Sequence, residues 1–217
     1  AKAFTYYLFA SGNGSAESPY IINSDADFKN IALRNNEGAY FRLGSNITVD
    51  LNEFVTTENG KDKAWIDEFY AHLDGNGFKI NLNLSKTVAL DSPISFTVMT
   101  NKTFTSYSAL FRAISYDAVV ENLGINYQVN NEELDNSRII YAPICALNYG
   151  TIRNVNVNQS VGNDKVPFNI NLKGKGSANI VFVGGVTGVN YGKVQYCTNF
   201  SEFNYNMQQQ LKLEFGY

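Results

Sequence analysis

A single histidine, His72, and two cysteines, Cys145 and Cys197, limit the nucleophilic chemistry open to this chain of 217 residues. Any Ser-His-Asp or Cys-His system must run through His72, which directly precedes Leu73 in a strand-like stretch and reads as an ordinary, partly buried histidine. With one histidine, a histidine-rich metal site is excluded. A nucleophilic cysteine needs an accessible, electropositive setting. Cys145 instead lies between Ile144 and Ala146, and Cys197 falls on an apolar row, so both read as small buried residues. A disulfide between them stays open, although they occupy different positions of a repeated phrase and would not lie directly above one another.

Carboxylates are the stronger candidates, because polysaccharide-cleaving enzymes use paired acids, or calcium with a basic residue. Asp62, Asp67, Glu68 and Asp74 are close in sequence, and Asp74-Gly75-Asn76 has the start of a calcium loop without its later acidic ligands. Glu132, Glu133 and Asp135 read as a solvated face. Gly174-Lys175-Gly176-Ser177 lacks the strand, spacing and helix of a phosphate loop and reads as a turn. Asn-x-Ser/Thr triplets at Asn46 and Asn101 arise readily by chance in an Asn-rich chain. The many tyrosines could build a sugar-stacking platform, although packing along a half-exposed sheet is their commoner use. No residue is assigned a catalytic, cofactor-binding or metal-ligating role, and no cofactor is expected.

Charge excludes further classes. Seventeen basic and 20 acidic residues leave a net charge of −3, so no global field recruits nucleic acid or an anionic membrane. The longest apolar runs fall short of the roughly 20 residues of a membrane helix, and the N-terminus lacks a signal-peptide layout. Plentiful Tyr, Phe, Asn and Gly with only 17% charged residues make a strand-and-turn composition.

The elements that would position these residues follow from local pattern. Tyr20-Ile21-Ile22 is a short strand after the turn residues Gly12-Asn13-Gly14-Ser15. Ser24 offers an N-cap and Phe28, Ile31 and Ala32 recur at helical spacing, which predicts a single helix over Asp25 to Arg34. Tyr40 to Leu43 and Ile47 to Leu51 read as strands, Phe54 to Phe69 as an irregular loop with its tip at Glu58 to Lys63, and Asp74-Gly75-Asn76-Gly77 as a turn between two strands. A hairpin is expected within Ser85 to Tyr107, and Leu211 to Phe215 alternates as a final strand.

One phrase recurs through the second half. Its clearest copy is Gly184-Gly185-Val186-Thr187-Gly188-Val189-Asn190-Tyr191-Gly192-Lys193-Val194-Gln195-Tyr196-Cys197, preceded by Pro143 to Val155 and, more loosely, Ala109 to Leu123. Three rows are apolar in every copy: Leu110, Ile144 and Val186; Val120, Ile152 and Val194; Leu123, Val155 and Cys197. Rows of this kind require stacked repeats that share one interior. A corner is expected at Asn154, a residue type that tolerates left-handed backbone. Extra residues around Asn126 to Tyr141 and Asn158 to Val181 are expected to protrude from the stack.

The phrase at Gly185 to Cys197 resembles the GLUG repeat of bacterial cell-surface proteins, including regions flanking IgA-specific metallopeptidases. The upstream segments Gly12 to Ser15, Pro19 to Ile22, Asp27 to Ile31, Phe41 to Leu43, Asn46 to Leu51 and Leu73 to Ile80 are similar to the segment that commonly precedes such repeats. Arg112, Pro143 and Ala146 depart from small, glycine-type positions. The resemblance implies an all-β fold, a right-handed parallel β-helix with a short N-terminal capping helix and inserted loops or hairpins. Residues 1–217 are then one domain: 1–53 opening segment and cap, 54–108 first rungs, 109–203 repeats, 204–217 terminal strand. With no cap evident after Phe203, a piece of a longer surface protein is expected. The function expected is that of a noncatalytic, extracellular or cell-surface adhesin module, binding a host-surface protein or glycan through the two insertions and the Phe54 to Phe69 loop, with no nucleic-acid partner and no membrane insertion. The alternatives are a polysaccharide hydrolase or lyase on the same fold, and a structural stalk or peptidase-flanking spacer.

Overall fold

Parallel pairing dominates the chain, as its apolar rows require. The structure, a computed structural model, describes residues 8–54, 56–58, 61–63, 65–84, 87–96, 102–128, 134–135, 138–159, 167–175, 180–208 and 212–216. A first sheet stacks Tyr20–Ile22, Tyr40–Leu43, His72–Asp74, Val119–Gln128, Thr151–Val157 and Lys193–Gln195 in that order, all parallel. Past a corner the same sheet runs through Ile47–Asp50, Lys79–Asn83, the later parts of Val119–Gln128 and Thr151–Val157, and Thr198–Asn199. The second sheet holds Glu68–Phe69, Phe111–Ile114, Cys145–Asn148 and Thr187–Asn190. The third holds Val88–Phe96, Lys102–Ser108, Arg138–Tyr141, Ile180–Gly184 and Lys212–Gly216. From Lys102 the chain visits third, second and first sheet in the same order three times, then returns to the third with Lys212–Gly216. Among the described residues the protein is all-β with one short α-helix.

The register matches the apolar rows. Val120 pairs Ile152, which pairs Val194, and Leu123 pairs Val155. Val120, Ile152 and Val155 are fully buried, and the interior they fill extends from Phe9 to Val183. The corner is equally regular: Asn122, Asn154 and Tyr196 have φ of 52°, 51° and 55°. Asparagine takes this left-handed conformation at low cost, whereas Tyr196 carries a strain of about 1–2 kcal/mol. The turn before it needs Gly192, because a Cβ there would lie 2.1 Å from the Gly150 carbonyl oxygen.

The helix forms where its cap predicts. Ser24 Oγ accepts from the Asp27 amide at 3.1 Å, but the α-helix covers only Asp25–Asn30 and tightens into a 3-10 turn at Ile31–Leu33. Buried Phe28 packs on Trp65, which packs on Phe111, and Phe111 stacks on Phe69, so the helix seals the N-terminal end of the stack with aromatic rings. The expected hairpin is the antiparallel pair Val88–Phe96 with Lys102–Ser108.

Two expectations are corrected. Phe54 to Phe69 is not irregular: Thr56–Glu58 and Lys61–Lys63 pair as an antiparallel hairpin, and Glu68–Phe69 joins the second sheet. The insertions do not simply protrude as loops or hairpins. Leu134–Asp135, Pro167–Lys175 and Glu202–Gln208 pair as a further parallel sheet, and Tyr127, inside the first insertion, is buried with its hydroxyl donating to Ser108 O at 2.7 Å. Alternating polar and apolar residues in Pro167–Lys175 carry the signal for this sheet, yet only the distant Glu202–Gln208 completes it.

Candidate functional site

Two outward-facing ladders cross the turns of the stack. On the first sheet, register aligns Arg42, Asp74, Glu121, Arg153 and Gln195, with Tyr40 and His72 paired two residues earlier on the strands of Arg42 and Asp74. Arg42 Nε donates to Asp74 Oδ2 at 3.0 Å, and Asn122 Nδ2 donates to Asp74 Oδ1 at 3.1 Å. His72 Nε2 lies 2.5 Å from Glu121 Oε1, Arg153 Nε donates to Glu121 Oε2, and the Tyr40 ring sits 4.9 Å from the His72 ring. Burial pushes the Glu121 carboxyl up, but its bonds to Arg153 and His72 outweigh that and hold it below its ordinary value of 4.5. Asp74 follows the same balance: burial raises it, and Asn122, the Asn76 amide and Arg42 bring it below 3.8. Both acids are therefore ionised and fully engaged, with no proton to give near neutrality.

The second ladder is aromatic and sits where the second sheet turns toward the first. Tyr149 stacks on Tyr191 with ring centroids 5.3 Å apart and 10° between planes, and Tyr116 packs on Tyr149 at 5.2 Å. Tyr116 is 74% and Tyr191 60% exposed, so this stripe keeps much of its ring surface in water. Burial, with neighbouring Tyr191 and Tyr116, raises the Tyr149 hydroxyl above its ordinary pKa. Beside the stripe, Arg112 grips Asp67 with two bonds of 2.5 and 2.7 Å, and Tyr70 donates its hydroxyl to Glu68 Oε2 at 3.1 Å. Exposed rings flanked by a fixed cation and two fixed carboxylates can take a ligand that offers apolar faces and hydroxyl groups together.

The acids singled out in sequence do not assemble into one site. Glu68 belongs to the second sheet and Asp67 directly precedes its strand, both beside Arg112, whereas Asp74 belongs to the first sheet beside Arg42. Asp62 lies in the Lys61–Lys63 hairpin strand and Asp135 in the Leu134–Asp135 strand; Glu132 and Glu133 fall outside the described residues. Asp74-Gly75-Asn76 is a turn whose aspartate accepts from the Asn76 amide at 2.9 Å. Gly174 and Lys175 end the Pro167–Lys175 strand rather than a turn, and Gly176 and Ser177 lie outside the described residues. Cys145 is a free, buried thiol pushed up to about 12 by burial, and Cys197 is a free, half-buried thiol raised by the same cause. Both are poor nucleophiles. Among the described residues no group of three or more His, Cys, Asp or Glu is placed to hold a metal ion. Sequence reasoning overlooked Arg42, Glu121 and Arg153, and the contact of Tyr116, Tyr149 and Tyr191; the Asn-Tyr-Gly at positions 148 and 190 was the available signal for the stripe.

No family model matches the chain. A protein of Evansella cellulosilytica provisionally named as a Gly-rich membrane protein is 28% identical over 155 residues, which take in 69% of this chain and 16% of that protein. The chain thus spans less than a fifth of that relative's length. Among solved structures, a chain from Bacteroides ovatus provisionally described as an immunoglobulin A1 protease is similar at a TM-score of 0.39 and 15% identity, over 96% of this chain and 70% of that one. Among the described residues, no helix is long and apolar enough to cross a membrane.

Proposed function

We propose that this chain is a noncatalytic, right-handed parallel β-helix module of the GLUG-repeat kind, part of a bacterial cell-surface or secreted protein, and that it binds glycan along the stripe of Tyr116, Tyr149 and Tyr191. The observation that carries this reading is the stripe itself, where large, rigid, amphipathic rings remain exposed beside the Arg112–Asp67 pair. Tyrosines of this kind supply contact area at low entropic cost and are enriched where binding energy concentrates. Sugar rings offer what the stripe lacks: an apolar face of C–H groups for the rings, and hydroxyls for Arg112, Glu68 and the tyrosine oxygens. A catalytic role is disfavoured by the pairing of Asp67, Asp74 and Glu121 with arginines, which already occupies these carboxyl groups. The repeated visit to three parallel sheets supports the β-helix, since only a stacked coil brings the same rows into register every time.

A glycan microarray probed with the whole chain tests this function. Binding to at least one oligosaccharide class is expected, weakened at least about tenfold, or about 1.4 kcal/mol, by the double substitution Tyr149→Ala and Tyr191→Ala. An array that stays blank at high protein concentration, or a host protein that binds in its place, contradicts the glycan reading.

A further inference from the structure

The aromatic stripe runs one turn further than its three mutually packed rings. Phe69, Ile114, Asn148 and Asn190 are paired in register along the second sheet, and the residues that directly follow them are Tyr70, Ser115, Tyr149 and Tyr191. Stacking continues through these positions, because the amides of Ser115, Tyr149 and Tyr191 donate to the carbonyls of Phe69, Ile114 and Asn148 at 2.9, 2.9 and 2.8 Å. Where the row has Ser115, the adjoining Tyr116 supplies the ring and packs on Tyr149. Tyr70 is 37% exposed and is held at both ends: its amide donates to Asn35 Oδ1 at 2.9 Å and its hydroxyl to Glu68 Oε2. Four consecutive turns therefore each present one tyrosine, over about 14 Å at the usual strand spacing.

Charge along this row is uneven. Arg112 spends Nε and Nη2 on the two oxygens of Asp67 and lies 4.0 Å from Glu68, so its fork is taken and two carboxyl groups are set against one guanidinium. Glu68 Oε1 has no hydrogen-bond partner among the described residues, and the Asp67 side chain is 66% exposed. Burial raises the pKa of the Tyr70 hydroxyl, and Glu68 and Asp67 raise it further, each more strongly than Arg112 opposes them. At Tyr149, two turns on, burial and the flanking tyrosines dominate, and there Arg112 and Glu68 oppose each other. The Tyr70 end is thus the acidic end of the stripe, where carboxyl oxygens accept from hydroxyls and disfavour an incoming anion.

We propose that the stripe extends to Tyr70 and that its ligand is a linear, uncharged glycan of at least three sugar residues lying along the stack, with Glu68 excluding acidic sugars. The proposal rests on the reading of the stripe as a glycan site. The advance per residue of a linear glycan is close to the spacing of the rings, so successive sugars can each cover a tyrosine. A uronic or sulfated glycan of that length carries acid groups throughout and places one against Glu68 and Asp67 wherever it starts. A neutral one brings hydroxyls there instead, and Glu68 Oε1 accepts from them. Selection thus comes from a repulsive element at one end added to apolar contact along the whole row.

The test is an array of linear glucose, mannose and galactose oligosaccharides of two and four residues, each tetrasaccharide beside its C6-oxidised uronate form, with calorimetry on those that bind. At least one neutral tetrasaccharide is expected to bind at least about tenfold more tightly than its disaccharide and its uronate form. Raising sodium chloride from about 0.05 M to about 0.5 M is expected to narrow the gap between neutral and uronate forms, because salt screens the repulsion. Glu68→Gln is expected to narrow it at least about threefold, and Tyr70→Ala to weaken the tetrasaccharide at least about fivefold. The length, charge and salt comparisons use the parent protein, so they decide the matter even where a variant does not fold. A uronate form or a disaccharide that binds as tightly as the neutral tetrasaccharide, or a folded Tyr70→Ala protein that binds like the parent, overturns this inference and leaves the stripe reading in place. No binding to any probe, neutral or acidic, contradicts both.

Discussion

The charged ladder of Arg42, Asp74, Glu121 and Arg153 and the tyrosine ladder of Tyr116, Tyr149 and Tyr191 overlap on two turns of the stack, but they dispose of their chemistry in opposite ways. In the first, every carboxylate faces a cation or an amide, and Glu121 alone is held by both His72 and Arg153. In the second, the rings contact one another and still leave most of Tyr116 and Tyr191 in solvent. A ladder whose polar groups satisfy each other stabilises the stack and offers little to a ligand. One that keeps broad exposed rings costs some unfavourable solvation and has binding surface left to use. The difference teaches that acidity in sequence is a poor guide to function in a repeat of this kind, because register decides whether a carboxylate is free.

Both ladders stand on the same interior rows, so the largest effect comes from removing the support they share. Ile152→Ala is expected to lower stability by about 2–5 kcal/mol in chemical denaturation, weakening both ladders together; a loss well under 1 kcal/mol would mean the row is not the common support. Glu121→Gln separates the ladders. It leaves Arg153 and His72 without their carboxylate and is expected to cost about 1–2 kcal/mol, reduced from a buried pair because the arginine is half exposed, with no change in glycan binding.

Acid sharpens the same contrast. The folded-state pKa values of Glu121 and Asp74 lie below their ordinary 4.5 and 3.8, so the stability they contribute is present above those values and is lost as pH falls through the folded ones. Denaturation followed from pH 6 to pH 3 should show stability falling in the parent and falling less steeply in Glu121→Gln; parallel curves would show that Glu121 is not part of the linkage. The smallest effect is reserved for Tyr149→Phe. Keeping the ring should keep the stack and leave stability within about 0.5 kcal/mol of the parent, and a larger loss would assign the hydroxyl a structural bond.

Much of this arrangement was legible before any coordinates. The rows through Val120, Ile152 and Val194, the left-handed corner at Asn154, the Ser24 cap and the hairpin before Tyr107 all depend on local pattern or on a phrase repeated nearly intact. The parts that were hidden depend on register across unequal intervals. Glu121 meets His72 and Arg153 only because the loops between them bring strands far apart in sequence into adjacent rungs. Tyr116 is displaced by one residue from the Tyr149 and Tyr191 position and still packs on Tyr149, its ring tilted by 36°, which no alignment of the phrase foretells. The sheet of Leu134–Asp135, Pro167–Lys175 and Glu202–Gln208 is built entirely from segments that read as insertions or tail.

The central claim is that recognition lies on the tyrosine stripe and not on the charged ladder. The direct measurement is calorimetric titration of the best microarray glycan into the parent, the Tyr149→Ala/Tyr191→Ala variant and Glu121→Gln, with each protein's folding checked by circular dichroism. The account expects the tyrosine variant to remain folded and lose at least about tenfold in affinity, or about 1.4 kcal/mol, while Glu121→Gln binds like the parent. Parent-like binding by a folded tyrosine variant, or loss of binding in Glu121→Gln with its fold intact, contradicts it.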